Sequence, residues 1–80
     1  MEKERRYEVL TLSRSGEIIE REEYARSQAA RRYEAKVAYL RSFDDWMKFM
    51  SNTAYVVYRE TVITEDGSPI VYEECKSYVL

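Results

Sequence analysis

The dipeptide Asp66-Gly67 stands between two runs of residues that are rich in valine, isoleucine and tyrosine. Asp-Gly in that setting is the strongest short-range sequence signal for a β-hairpin, because both residues tolerate the positive φ angles of a tight turn. We therefore predict strands over residues 54–64 and 70–79, joined by a two-residue turn. This antiparallel hairpin is the framework against which the rest of the chain must fold.

The predicted turn decides which residues of the two strands face each other. Arg59 falls opposite Glu74, and this cross-strand ion pair supports the register. The strand at 54–64 is apolar on both faces, whereas a sheet covered by helices on one side needs only one apolar face. We therefore expect the second face to be covered by the N-terminal hairpin, by a second copy of the chain or by a different partner.

Apolar residues recur at spacings of three and four between residues 25 and 40, so they share one face of a helix. This pattern predicts a helix from about residue 21 to 41. Residues 7–12 have the composition of a strand. Residues 17–20 fit either a second strand or the first turn of the helix. We favour the strand, because a helix that began so early would place charged side chains within its apolar face.

A second, short helix is predicted to begin after Ser42, its N-cap, and to run to about Met50, with Asn52 as its stop. Its large apolar residues cover more than half of the helix circumference. They are Phe43, Trp46, Met47, Phe49 and Met50. We therefore expect this helix to be deeply buried or to lie at an interface.

These elements predict an α+β fold in the order β(β)ααββ. A small antiparallel sheet, made of an N-terminal strand or hairpin and the C-terminal β-hairpin, packs against one long and one short helix. Residues 1–80 are enough for one domain and no more.

The chain contains no histidine, one cysteine and two glycines. Without histidine, Ser-His and Cys-His nucleophile pairs and the commonest metal ligand are missing. The two glycines are too far apart in sequence to build a phosphate-binding loop. We therefore expect no catalytic residue, metal, cofactor or small-molecule substrate. Cys75 is expected to be buried and inert beside Tyr58.

Charge is distributed unevenly along the chain. Residues 1–41 carry ten Lys/Arg and eight Asp/Glu, for +2, and residues 42–80 carry three and seven, for −4. The segment 24–41 is basic and could contact nucleic acid or an acidic partner through Arg26, Arg31, Arg32, Lys36 and Arg41. Nucleic-acid binding is only the alternative function, because the pI is 5.2 and these residues form no continuous stripe around the helix.

Eight tyrosines are the most unusual feature of the composition. In the predicted register, one sheet face carries Tyr55, Val57, Tyr72 and Tyr78. Tyrosine is enriched at the cores of protein–protein interfaces. We therefore predict partner binding through this face or through the acidic C-terminal hairpin, with a homodimer as one form of it. The other interpretation is an internal face, covered by the N-terminal hairpin.

In size, charge density and tyrosine content, the chain resembles in type the small proteins with which phages and mobile elements bind and block host machinery. That resemblance implies a non-enzymatic inhibitor or adaptor. A lone cysteine cannot form an internal disulfide, and no apolar stretch follows the charged N-terminus as in a signal peptide. No apolar run is long enough to span a bilayer. We therefore expect a cytoplasmic protein with no membrane association.

Overall fold

The computed structural model describes residues 2–80, which form an α+β fold. The order ββααββ is the predicted one. The elements are β1 (Glu2–Ser13), β2 (Ile18–Tyr24), α1 (Arg26–Arg41), α2 (Asp45–Ser51), β3 (Thr53–Thr64) and β4 (Pro69–Tyr78).

The four strands form one antiparallel sheet in the order β2-β1-β3-β4. The N-terminal hairpin, β1 and β2, therefore extends the C-terminal hairpin edge to edge. Of the three predicted covers for the second sheet face, the N-terminal hairpin is therefore wrong. β1 pairs with β3 and β2 pairs with β1, so both strands satisfy their backbone hydrogen bonds by lying within the sheet.

The two hairpin turns are built in the same way. Gly16 N–H donates to the carbonyl of Ser13, and Gly67 N–H donates to the carbonyl of Thr64. Both glycines have φ near +90°, a left-handed conformation that glycine adopts without steric cost. The closing hydrogen bonds run from Ser13 N–H to the carbonyl of Glu17 and from Thr64 N–H to the carbonyl of Ser68, so each loop has three residues. The prediction of a two-residue turn at Asp66-Gly67 is therefore wrong.

The third loop residue shifts the strand register beside the turn, where Ile63 faces Pro69. A bulge at Tyr72 of β4, opposite the step from Glu60 to Thr61 of β3, restores the register further along. The predicted pairs of Arg59 with Glu74 and of Tyr58 with Cys75 are therefore present.

Helix α1 begins at Arg26, later than predicted, because residues 18–24 continue as a strand paired with β1. Residues 17–20 are thus largely strand, as favoured. The predicted apolar face of α1 is confirmed, since Ala29, Val37 and Leu40 are buried. The helix packs on the sheet over a core that also contains Val9, Val56 and Val79.

Helix α2 is capped by Asp44, whose side chain accepts a hydrogen bond from Met47 N–H at 2.8 Å. The prediction that Ser42 is its N-cap is therefore wrong. Asn52 ends the helix with a φ of 55°, as expected of a residue that tolerates the left-handed region. None of the residues of α2 is buried, so the expectation of deep burial is wrong.

Candidate interaction surfaces

The sheet face opposite α1 brings two of the predicted tyrosines together. Tyr55 and Tyr78 face each other across β3 and β4, with ring centroids 5.5 Å apart. The Lys76 ammonium lies 4.2 Å from the Tyr55 ring centroid, at cation–π distance. Val57 lies on the same face but is only 2% exposed. Its side chain therefore has almost no accessible surface for contact with a partner.

Tyr72 does not share that face, contrary to prediction. The register shift between β3 and β4 leaves it unpaired, between Val71 and Glu73. The guanidinium of Arg5 lies 4.8 Å from the Tyr72 ring centroid. Arg5 alternates in phase with Val9 along β1, so both lie on the α1 side of the sheet. The bulge has therefore moved Tyr72 to the side that carries the helix.

The acidic C-terminal hairpin is partly neutralised within the chain. The carboxylate of Glu60 is buried and accepts a hydrogen bond from the Arg5 guanidinium at 2.7 Å. Arg59 makes a 2.8 Å ion pair with Glu74. In the turn, hydrogen bonds from the Thr64 hydroxyl and from Ser68 lower the pKa of Asp66. Three acidic side chains of this hairpin therefore already bind groups within the chain.

Helix α2 presents the most apolar surface of the described chain. We define the α2 patch as Trp46, Met47, Phe49 and Met50, all of which are exposed. Trp46 is 69% exposed, Phe49 is 66% exposed, and their rings stack with centroids 6.2 Å apart. The sequence identified these residues as strongly apolar, but it left burial and interface as alternatives.

The five basic residues of α1 point in different directions. Lys36 reaches Glu20 and Glu22 of β2 at 2.6 and 3.5 Å. The Arg32 guanidinium lies 5.7 Å from the Tyr24 ring centroid. Their partners therefore lie on the β2 side of the helix.

Arg41 lies on the other side of α1 and donates two hydrogen bonds to the Tyr78 carbonyl, at 3.0 and 3.3 Å. Arg26 and Arg31 are exposed. Three of the five predicted contact residues are thus engaged with the sheet, and the five do not form one basic surface.

Interactions beside Lys36 shift three pKa values. Glu22 accepts a hydrogen bond from the Tyr24 hydroxyl, and this bond is the main reason why the pKa of Glu22 is lowered. The same bond raises the pKa of Tyr24. Desolvation acts to lower the pKa of Lys36, but its interactions with Glu20 and Glu22 outweigh that effect and raise it. The network joins α1 to β2.

Strand β4 is an edge strand that is exposed at every position except Ser77, which is half-buried. Cys75 is exposed, so the expectation of a buried, inert thiol is wrong. The cysteine does face Tyr58 across the ladder, as predicted. It is exposed because α1 does not extend over this part of β4.

A groove of about 490 Å³ separates α1 from β4. It is lined mainly by Tyr33, Val37, Arg41 and Ser77. A hydrogen bond between the hydroxyls of Tyr33 and Ser77 crosses its floor. Among the side chains that the structure describes, no three acidic or cysteine residues are close enough to hold a metal ion.

Comparisons with known proteins give no relative: no family model, no curated protein and no solved structure matches this chain. Within residues 2–80, neither helix is long and apolar enough to cross a membrane.

Proposed function

We propose that this chain is a small, non-enzymatic protein-binding domain that docks through the α2 patch. The exposure of Trp46 and Phe49 carries the proposal. Large apolar side chains that are clustered and exposed on a small domain usually mark an interaction site. Tryptophan is also among the residues most enriched at binding hot spots.

The spacing within the patch suits one mode of recognition. Trp46, Phe49 and Met50 stand at positions i, i+3 and i+4, so they share one face of α2. A helix with anchors at that spacing can insert them into an apolar groove of another protein. Methionine adapts its shape to such a groove because its side chain is unbranched and flexible.

Charge around the patch indicates the chemistry of the partner. Asp44 and Asp45 stand at the start of α2, and both are exposed. We therefore propose an apolar groove with a basic rim, since opposite charges at the rim of an interface favour association. By filling such a groove, the domain would act as an inhibitor or an adaptor.

Trp46 is the only tryptophan of the chain, so it allows a direct test. Tagged wild-type protein and a Trp46→Ala/Phe49→Ala variant are compared as baits in a lysate of the native cell. A protein retained by the wild type alone is identified, purified and titrated against the domain. We expect Trp46 emission to shift to the blue as the indole enters the groove. The double variant should lose at least about 30-fold in affinity, as for a hot spot.

Tyr39→Ala is the matched control, because Tyr39 is also an exposed aromatic residue but lies on α1. Its affinity should equal that of the wild type. Equal retention of the purified partner by the double variant would show that the α2 patch is not the docking site.

The Tyr55–Tyr78 face is a second candidate surface for partner binding. This face exposes less apolar surface than the α2 patch, because Tyr55 is half-buried and Val57 is buried. A cytoplasmic location is proposed because an exposed single thiol, here Cys75, is best kept reduced there.

Nucleic-acid binding through residues 24–41 is the alternative function. It would rely chiefly on Arg26 and Arg31, because the other three basic residues already bind the sheet. Binding to phosphates would weaken steeply with rising salt. A shift of labelled single-stranded or duplex DNA at low salt that disappears in Arg26→Ala/Arg31→Ala would favour this alternative.

A further inference from the structure

The outer edge of β4 is free over a short, well-defined stretch. At one end, the bulge at Tyr72 interrupts the regular strand. At the other end, the Tyr78 carbonyl already accepts hydrogen bonds from Arg41. The stretch between them is Glu73–Ser77, and its middle residue is Cys75. A free edge of this kind is a template for pairing with another strand.

The backbone groups that point outward from this edge can be assigned. Val79 N–H donates to the carbonyl of Ala54 on β3 at 2.9 Å, so the backbone N–H and C=O groups of Val79 point toward β3. Successive residues of an antiparallel strand alternate in this respect. Glu74, Lys76 and Tyr78 therefore direct their N–H and C=O groups away from β3, and Cys75 directs its groups toward β3.

We propose that β4 pairs in antiparallel fashion with β4 of a second copy, about a twofold axis at Cys75. In this register Glu74 of each copy lies opposite Lys76 of the other. Both residues direct their backbone groups outward, so they can exchange hydrogen bonds as a paired position of the ladder requires. The two sheets join into one continuous sheet.

Charge selects this register over its neighbours. A twofold axis at Glu73, Glu74 or Lys76 would place like charges directly opposite each other, which destabilises strand pairing. An axis between two residues would set an outward-facing residue against an inward-facing one, and no ladder could form. The axis at Cys75 instead creates two Glu–Lys pairs and uses the whole free edge.

Two other features of the molecule fit this arrangement. The axis brings Glu73 of the second copy opposite Ser77, which lines the groove beside Arg41. The acidic side chain of Glu73 from the second copy thereby lies near the basic side chain of Arg41. At the other sheet edge, the charged stretch Glu20–Glu23 of β2 offers no such match, because an axis at any of its residues places like charges opposite each other.

Cysteine pairs placed across the axis test the register directly. The two Cys75 residues form a non-hydrogen-bonded pair, with Cα atoms about 4.5 Å apart, within the range that a disulfide spans. Diamide should therefore join two wild-type chains. Two thiols lose two protons and two electrons, the S–S bond forms, and diamide is reduced to the hydrazine.

A random collision of exposed thiols must be distinguished from this register. In a Cys75→Ser background, Glu73→Cys and Ser77→Cys are made as separate variants. Each alone places its cysteine opposite a residue without a thiol and should not cross-link. Mixed together, the two should yield a disulfide-linked dimer on a non-reducing gel. Equal cross-linking of the separate and the mixed samples would overturn the register.

Charge reversal tests the non-covalent dimer in the Cys75→Ser background. Sedimentation equilibrium should give a mass that approaches twice 9.6 kDa as concentration rises. Lys76→Glu places like charges opposite each other twice and should weaken dimerisation by about tenfold. Adding Glu74→Lys should restore it, whereas Glu65→Lys, in the exposed turn, should have no effect.

A monomer at all concentrations, or a Lys76→Glu variant that dimerises as tightly as the Cys75→Ser parent, would overturn the proposed pairing. The result is independent of the proposed function, because the α2 patch lies outside the edge strand. Trp46→Ala/Phe49→Ala should therefore leave the dimer intact even where it abolishes partner binding.

Discussion

Strands β3 and β4 are neighbours in one sheet and both contain valine, isoleucine and tyrosine, yet their surroundings differ. Every residue of β3 is buried or half-buried, whereas β4 is exposed almost throughout. β3 lies between two strands and beneath α1, and β4 has one neighbour and no helix above most of its length. Apolar side chains thus stabilise the fold in β3, and in β4 they remain available to another chain.

The largest test of this difference compares a buried residue of the inner strands with an exposed residue of β4. Leu10 is fully buried beside Val57, so Leu10→Ala should lower the free energy of unfolding by about 2–5 kcal/mol. Ile70 is 54% exposed, and Ile70→Ala should cost about 1 kcal/mol or less. Urea unfolding followed by circular dichroism measures both. Similar losses would mean that β4 belongs to the core.

The next effect concerns the turns that end the two hairpins. Gly67→Ala should destabilise the protein by about 1–2 kcal/mol, because a Cβ atom is unfavourable at a φ of 88°. There is open space around the Cα atom of Gly67, so no steric clash adds to this backbone cost.

Gly16→Ala is the matched substitution in the other hairpin, where φ is 89° and the surroundings are also open. We expect the same cost by thermal melting. Gly67→Asn should be milder than Gly67→Ala, since asparagine tolerates the left-handed region better. A negligible effect at Gly67 alone would show that the β3–β4 hairpin adds little to the cooperative fold.

A smaller effect concerns the pH dependence of the contact between α1 and β2. The folded pKa of Glu22 lies below its unfolded value of about 4.5, first because of the Tyr24 hydroxyl and also because of Lys36. Its stabilising contribution is therefore present above that value and is lost as the pH falls through the lower, folded pKa.

Glu22→Gln should cost less than about 1 kcal/mol at pH 7, because the pair is partly exposed. The difference in melting temperature between the variant and the wild type should shrink as the pH falls below about 4.5. A difference that persists in acid would assign the effect to packing and not to charge.

The smallest expected effect is at α2. Trp46→Ser or Phe49→Ser should change the free energy of unfolding by less than about 0.5 kcal/mol, because neither ring is buried. Chemical denaturation of the purified variants measures this. A loss of 2 kcal/mol or more would place these rings in the core and would remove the basis of the proposed docking site.

Local sequence signals predicted the elements well. The positive φ of Gly67, the apolar spacing of α1 and the helix stop at Asn52 each depend on a few neighbouring residues, and each is present as expected. The boundary between β2 and α1 was less accurate. Residues 21–24 suit either state in isolation, and pairing with β1 decided for a strand.

The candidate surface was harder to predict. The Tyr55–Tyr78 pair followed from strand alternation, but alternation fails at a bulge, so Tyr72 was placed on the wrong face. The position of a bulge depends on the length of the turn and on the register of the whole ladder. The dipeptide Asp66-Gly67 predicts neither the turn length nor the register.

By itself, the sequence determined the α+β order, the hairpins and the helical face that forms the core, because these follow from backbone preferences and side-chain periodicity. The tertiary structure alone decided that α2, Cys75 and the outer edge of β4 are exposed. Exposure depends on which elements cover a residue, and the apolar character of Trp46 or Cys75 is the same whether a helix, a second copy or water lies against it.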